Sequence, residues 1–182
     1  MKATDLLEQQ HRKVEGIFAK LEGDDDGQRA AKQELVEELA NDLAAHMTIE
    51  QELFYPAVHA IDAKLVAESL EEHALAELGL RRLLAAGSAE AFKARVTALK
   101  ELIQHHVKEE EHDLFPEVEK AMDADKLDEL GAQMKTRFDA VVEAGFKSVV
   151  PKGVVLASAD GKPKRKRPPA KKAQHARGKS AA

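Results

Sequence analysis

Two stretches of the sequence match at an offset of 60 residues: His46-Met-Thr-Ile-Glu50-Gln-Glu-Leu-Phe-Tyr-Pro56 and His106-Val-Lys-Glu-Glu110-Glu-His-Asp-Leu-Phe-Pro116. A second pair of similar stretches lies upstream, around His11 and His73, at an offset of 62. The chain is therefore two copies of one unit, each with a histidine followed by His-x-x-x-Glu. Because a histidine and a glutamate four residues apart share one helix face, and because transition metals accept imidazole and carboxylate, the pattern predicts a two-metal helical protein.

The composition favours helices and excludes several kinds of site. Only 4% of the 182 residues are aromatic, Trp and Cys are absent, and Ala, Leu, Glu and Lys dominate. These residues favour helix over sheet. The absence of cysteine excludes a disulfide framework, a thiolate metal site and an iron–sulfur cluster.

The net charge of −5 hides a strong asymmetry along the chain. Residues 151–182 hold ten Lys or Arg and a single acid, Asp160, whereas the first 150 residues hold 18 basic and 32 acidic side chains. We therefore expect an acidic folded body and a disordered basic tail. Residues 162–172 could contact nucleic acid or another polyanion through counterion release. No aromatic side chains interleave them, so this contact would be nonspecific.

The sequence favours a cytoplasmic protein. Its first ten residues lack the uninterrupted apolar stretch of a secretory signal. No apolar run approaches the roughly 18 residues that a membrane-spanning helix needs.

Apolar spacing and helix caps predict an all-α fold. Thr4, Asp62 and Ser88 are candidate N-caps, and Pro56 and Pro116 should end or kink the second and fourth helices. Four long helices with short connections pack as an up-down-up-down bundle. We assign residues 1–122 to the bundle, 123–148 to an accessory amphipathic helix, and 149–182 to the tail. The inward face of the third helix is predicted to include Val66, Leu70, His73, Leu80 and Leu84.

The predicted bundle brings the repeated histidines to one level. At about 1.5 Å per residue, His11, His46, His73 and His106 fall within roughly 6 Å of one height. Glu50 and Glu110 lie one turn nearer the same end of the bundle. An isolated buried histidine is usually a hydrogen-bonded core residue, but six polar groups at one level would cost several kcal/mol each without a cation.

Two metal ions explain the duplication better than one. A carboxylate can bridge metals about 3.5–4 Å apart, so Glu50 and Glu110 could each span the pair. Iron is favoured because mixed histidine and carboxylate sites in helical bundles are typical of di-iron proteins. Manganese and zinc remain alternatives.

The pattern His11, His46-x-x-x-Glu50, His73, His106-x-x-x-Glu110 resembles the hemerythrin HHE cation-binding family, in its bacterial hemerythrin-like branch. The resemblance covers about residues 4–120. It implies a non-haem di-iron centre, oxo- or hydroxo-bridged, that meets dioxygen, peroxide or nitric oxide. It also implies that the four histidines are terminal ligands and that the two glutamates bridge.

One position departs from the oxygen-carrying hemerythrins, which have a fifth histidine four residues after the third-helix histidine. Here that residue is Glu77, and its repeat equivalent is Glu15; either could be an extra ligand or a surface acid. A site of four histidines and two glutamates is more open and more anionic. It should favour redox turnover or sensing, in oxidative or nitrosative stress, over reversible oxygen carriage.

Three alternatives stay open at this stage. The chain could be an iron- or oxygen-responsive interaction module that signals through its basic tail, an oxygen carrier or iron store, or a structural bundle without metal.

Other residues are candidates for supporting roles around the predicted metal centre. Tyr55 could donate a hydrogen bond to a bound oxygen species, or it could be a packing residue at the helix end. His59, His105 and His112 should face solvent or surround the site. The acids that could orient the ligand imidazoles are Glu52, Glu72, Glu109 and Glu111.

Overall fold

The computed structural model describes residues 1–23 and 29–146, and the predicted basic tail lies outside them. The described residues form five helical rods with no strand. Two of the rods contain a π turn near the end. The elements are α1 (Ala3–Glu22), α2 (Arg29–Ile49), π1 (Glu50–Phe54), α3 (Tyr55–Val58), α4 (Ala63–Leu84), α5 (Ala89–Glu109), π2 (Glu110–Leu114), α6 (Phe115–Ala121) and α7 (Ala124–Ala144). None of these helices is both long and apolar enough to cross a bilayer.

The predicted up-down-up-down bundle is confirmed. Helix α1 packs against α2 and α5, and α4 packs against the same two helices, which closes a ring of four. The fifth long helix, α7, was predicted around residues 124–146 and lies against α1 and α2. Its buried side chains are Leu127, Leu130, Met134 and Val141.

The apolar core has two parts, and the repeated histidines lie between them. On α1, Leu7 belongs to one part and Val14 to the other, with His11 between. On α2, Leu43 and Ile49 lie on either side of His46 in the same way. The polar layer is therefore enclosed by hydrophobic packing above and below.

Two of the three predicted helix caps are confirmed. The Asp62 carboxylate accepts hydrogen bonds from the N–H groups of Lys64 and Leu65 at 3.1 and 2.9 Å. Ser88 Oγ accepts from the Ala91 N–H at 3.2 Å. Thr4 was wrongly assigned, because α1 already begins at Ala3. The buried Thr4 hydroxyl instead donates to Glu119 on α6, at 2.6 Å.

The helices do not end at the prolines, which was one of the two predicted outcomes, but their geometry changes there. In π1 the Tyr55 N–H bonds to the carbonyl of Glu50, five residues back, and the helix continues to Val58. Proline has no N–H to donate, so the wider turn before Pro56 accommodates the missing hydrogen bond. The same happens before Pro116, where π2 leads into α6. The local departure from α geometry is real, but it takes the form of a π turn.

Leu70 was also wrongly assigned to the inward face. It is 42% exposed, whereas Ser69 is buried. Ser69 lies four residues before His73 and three after Val66, so it shares their face of α4. The buried stripe of α4 follows that spacing, and Leu70 falls outside it.

Helix α7 approaches the amino terminus closely at Gly131. A Cβ atom at this position would lie 2.4 Å from the Met1 carbonyl oxygen and 2.9 Å from the Ala3 nitrogen. The Met1 amino group also pairs with Asp128 at 2.9 Å. Further along, Arg137 donates two hydrogen bonds to Glu52 in π1, at 2.7 and 2.9 Å. The fifth helix is thus joined to the bundle at both places.

Candidate metal centre

Four imidazoles, one from each bundle helix, meet in the polar layer. His11 and His46 form one pair, with their Nε2 atoms 3.2 Å apart. His73 and His106 form the other pair, also with an Nε2 separation of 3.2 Å. All four side chains are buried. The predicted common level of the histidines therefore corresponds to direct proximity.

The two repeated glutamates each connect one pair of histidines with the other. Glu50 Oε2 lies 3.2 Å from the Nε2 atoms of both His46 and His73. Glu110 Oε2 lies 3.5 Å from His11 Nε2 and 3.6 Å from His106 Nε2. Since metal–ligand bonds are about 2.0–2.2 Å long, neighbouring ligand atoms on one ion lie about 3 Å apart. The six side chains have the spacing that metal ligation needs.

Three of the four carboxylate oxygens of this cluster lack hydrogen-bond donors. Both oxygens of Glu50 and Oε2 of Glu110 are buried with no hydrogen-bond partner among the described residues. Burying unpartnered carboxylate oxygens costs several kcal/mol per group. A cation would remove this cost, so the residues present fit a metal site.

Burial keeps two imidazoles of the cluster neutral, those of His46 and His73, whereas hydrogen bonds with Glu110 and Glu111 outweigh burial and raise the pKa of His11. Burial, followed by the nearby His11, lowers the pKa of His46 well below its ordinary value. Burial and then His106 lower the pKa of His73 to about 3. Burial and the charge of Glu110 raise the pKa of Glu50 well above its ordinary value. Neutral imidazole is the form that ligates metals.

Two of the predicted acids contact imidazoles of the cluster on the side away from its centre. His11 Nδ1 lies 2.8 Å from Glu111 Oε1, and His106 Nδ1 lies 2.9 Å from Glu72 Oε2. A carboxylate at Nδ1 accepts the N–H and leaves Nε2 free to face the centre. Glu72 and Glu111 thus orient two of the four imidazoles.

Glutamines hold the other two imidazoles, and the sequence analysis missed them. Gln10 Oε1 lies 2.9 Å from His46 Nδ1, and the Gln51 side-chain amide lies 3.1 Å from His73 Nδ1. The repeat carried the signal: Gln10 corresponds to Glu72 and Gln51 to Glu111 at the two offsets. Each histidine pair therefore has one carboxylate and one amide behind it.

The possible extra ligands lie outside the cluster. Glu15 accepts hydrogen bonds from Arg12 at 2.9 and 3.1 Å, and Glu77 accepts one from Arg81 at 3.4 Å. Neither belongs to the group of converging ligand atoms. The three histidines predicted to face solvent are exposed, namely His59, His105 and His112.

Tyr55 has the packing role that was one of its two predicted roles, and its hydroxyl is hydrogen-bonded within the cluster. Its side chain is 2% exposed and packs in the core next to π1. Its hydroxyl donates to Glu110 Oε1 at 2.9 Å and lies 3.3 Å from His73 Nε2. Burial and the charges of Glu110 and Glu50 raise the pKa of Tyr55 well above its usual value, so the hydroxyl keeps its proton.

A small apolar cavity borders the histidines. It has a volume of about 10 Å³, close to the minimum for one water molecule. Its walls are the four imidazoles with Val14, Leu43, Met47, Ile103 and Val107. The enclosure admits a ligand of only a few atoms.

Comparisons with known proteins agree with this geometry. The family model described as the hemerythrin HHE cation binding domain matches residues 2–118. The chain therefore belongs to the hemerythrin HHE cation-binding family, as the sequence pattern indicated. It is similar to a crystal structure described as a hemerythrin HHE cation binding domain-containing protein, the Rv2633c homolog from Mycobacterium kansasii. That match has a TM-score of 0.69 and 27% identity, and it covers 79% of this chain and 89% of that one.

A curated relative has a different description. A protein of Nostoc sp. (strain PCC 7120 / SAG 25.82 / UTEX 2576) described as a DNA nickase is 28% identical over 140 residues. The match covers 74% of this chain but 38% of that protein, so the present chain spans about two fifths of its relative.

Proposed function

We propose that this protein holds a dinuclear non-haem iron centre. The ligands are His11, His46, His73 and His106, with Glu50 and Glu110 between the two ions. The observation that carries the proposal is the set of buried carboxylate oxygens without hydrogen-bond donors, facing four imidazole nitrogens. Membership of a cation-binding family supports a metal at this place.

The arrangement favours two ions over one. Glu50 contacts one histidine of each pair, and Glu110 contacts the other two. Each carboxylate can therefore share its oxygens between two cations about 3.5–4 Å apart. Iron suits this mixed set of nitrogen and oxygen ligands, with manganese and zinc as the competitors.

We further propose that the centre reacts with dioxygen, peroxide or nitric oxide, in oxidative or nitrosative stress handling or in sensing. Iron supplies the electron transfer in such chemistry. The chain contributes an enclosed apolar cavity that excludes larger molecules, and a protonated Tyr55 hydroxyl fixed on Glu110. Two carboxylates make the ligand set anionic, which favours oxidised metal and hence turnover over reversible oxygen carriage.

Metal analysis and stopped-flow mixing test the two parts of this proposal. Protein expressed with ample iron should contain two iron ions per chain and show an iron charge-transfer band in its optical spectrum. His46→Ala should lose the iron and the band, whereas the exposed His59→Ala should keep both. Absence of iron from the wild type, with zinc or manganese in its place, would contradict the choice of metal.

The reduced, iron-loaded protein should then be mixed separately with oxygen, peroxide and nitric oxide. We expect rapid reoxidation by at least one of them, with stoichiometric consumption of that ligand, and renewed consumption each time an added electron donor reduces the centre again. A stable oxygen adduct that reverses under vacuum would instead establish the carrier alternative.

Contact with nucleic acid through residues 162–172 is a second candidate function. The basic composition of this stretch and the relative described as a DNA nickase favour it. The full chain should retard duplex DNA in a gel in a salt-sensitive way. The matched variant that ends at residue 150 should not. Retardation that survives this truncation would assign the contact to the body instead.

A further inference from the structure

Glu72 has two carboxylate oxygens in different environments. Its Oε2 is 2.9 Å from the buried His106 Nδ1, behind the candidate centre. Its Oε1 is 3.6 Å from Nε2 of His105, which is 62% exposed on the outer face of α5. His105 and His106 are consecutive, so the helix turns one imidazole inward and the other outward. Glu72 thus lies between the interior and the surface.

A second glutamate completes a group around His105. Glu109, one turn further along α5, has Oε1 at 3.5 Å from His105 Nε2. One ligand atom each from Glu72, His105 and Glu109 lie within 4.8 Å of one another. The 3.5 and 3.6 Å separations are longer than hydrogen bonds but suit neighbouring ligands of one cation.

This group lacks the basic partner that a comparable carboxylate has. Glu111 supports His11 as Glu72 supports His106, and the guanidinium of Arg12 pairs with Glu111 at short range. Among residues 1–23 and 29–146, no lysine or arginine forms an ion pair with Glu72 or Glu109. Two carboxylates and an imidazole therefore face each other with no lysine or arginine in direct contact among the described residues, and Lys64 acts on Glu109 only at longer range.

The group is also not a by-product of the repeat. The equivalent positions in the first half of the chain are Gln10, Ala45 and Ile49. Alanine and isoleucine cannot bind a metal, so the interior centre does not require His105 and Glu109. Their juxtaposition with Glu72 is a feature of the second half alone.

We propose that Glu72, His105 and Glu109 bind a divalent first-row cation at the surface, separately from the interior centre. One imidazole and two carboxylates form a ligand set that zinc, manganese and ferrous iron accept. Exposure of His105 leaves the remaining coordination positions to water. Because Glu72 is shared, a cation on its Oε1 draws electron density from the oxygen that accepts the His106 N–H. This coupling to the centre rests on the proposed function; the surface site itself does not.

Zinc titration of the iron-loaded wild type tests the surface site, since zinc is redox-inert. After removal of loosely held metal, we expect one zinc ion to bind per chain while the iron content stays constant. His105→Ala and Glu109→Gln should each weaken this binding by roughly tenfold or more, because each removes a ligand. His112→Ala is the matched control, since it removes another exposed histidine of the same rod, and it should bind zinc like the wild type. Equal zinc binding by wild type and His105→Ala would overturn the proposal.

The zinc titration distinguishes a failure of the surface site from a failure of the proposed interior iron centre. Should the wild type hold no iron, zinc would fill the interior as well, but His105→Ala would still bind one zinc ion fewer than the wild type. Coupling is read from the optical band of the iron-loaded protein. That band should shift on zinc addition in the wild type and in His112→Ala, but not in His105→Ala. An unshifted band in the zinc-bound wild type would refute the coupling and leave the surface site standing.

Discussion

Replacing Glu50 with Gln should stabilise the metal-free protein and destabilise the metal-loaded one. Glu50 is fully buried, and neither carboxylate oxygen has a hydrogen-bond donor. Glutamine keeps the shape and removes the ionisation. The metal-free wild type must either bury a charged carboxylate or protonate it. A carboxyl group has a pKa of about 4.3 in the unfolded chain, so protonating it at pH 7 costs at most about 3.7 kcal/mol.

The pH dependence of this effect has a defined sign. Because burial raises the pKa of Glu50 in the folded state, the wild type loses stability as pH rises above the unfolded value. The ionisation contribution to the advantage of Glu50→Gln should therefore be near zero at about pH 4.5 and grow by about 1.4 kcal/mol per pH unit towards neutrality. Unmet hydrogen bonds of the buried amide subtract about 1–3 kcal/mol at every pH, so the metal-free variant should be less stable than wild type near pH 4.5 and more stable at neutral pH. With metal bound, a ligand is lost and the sign reverses.

Urea unfolding followed by far-ultraviolet circular dichroism measures the free energy of unfolding of variant and wild type. The experiment is done with and without chelator to obtain both differences. Glu52→Gln is the matched control, two residues away and exposed. A hydrogen bond from Arg137 lowers the pKa of Glu52, so this substitution should cost at most about 1 kcal/mol, and that difference should disappear as the pH falls below the ordinary glutamate pKa. A chelated Glu50→Gln protein that is less stable than wild type at neutral pH would refute the reasoning.

Three further substitutions test other parts of the structure. The Gly131→Ala variant should be less stable in urea unfolding than the Gly16→Ala variant, by about 1–3 kcal/mol. The Cβ added at residue 131 would meet the backbone of the amino terminus, whereas the Cβ added at residue 16 would have open space. Equal stabilities of the two variants would argue against the close approach of α7 to the amino terminus. Asp62→Ala should cost about 1 kcal/mol through loss of the α4 cap, again by urea unfolding, and no change would contradict the cap. Tyr55→Phe should lower the stability of the metal-free protein, measured in chelator, by about 1–3 kcal/mol, because Glu110 loses its hydrogen-bond donor. Without chelator, elemental analysis should find the same metal content in this variant as in the wild type. Loss of metal from the variant would make Tyr55 a ligand instead.

The bundle was predictable because its signals are local and repeated. Cap residues such as Asp62 and Ser88 act within three positions, and the spacing of His46 and Glu50 fixes one helix face whatever surrounds it. Because the chain is duplicated, each helix and site residue predicted in one half could be compared with its equivalent in the other half. These features need no knowledge of the tertiary contacts.

The errors arose where a tertiary contact or an unusual turn decided the outcome. Thr4 satisfies its hydroxyl with Glu119, a contact between residues far apart in sequence. Pro56 follows a π turn, whose extra residue does not show in the apolar spacing. Gln10 and Gln51 escaped prediction because carboxylates are the commoner partners of imidazoles, although the amide oxygen of Gln10 can accept an imidazole N–H and the amide N–H of Gln51 can donate to a ring nitrogen.

The π turns have a consequence for how this chain tolerates deletions. Each π turn contains one residue more than a regular helical turn, so everything after it is rotated by about 100° relative to an uninterrupted helix. Deletion of a single residue within π1 would restore regular α-helical geometry without interrupting the helix. Because the deletion also cancels that rotation, the phenol that follows would still face Glu110, so the rod should tolerate the loss of one exposed residue here with little change around its carboxylates.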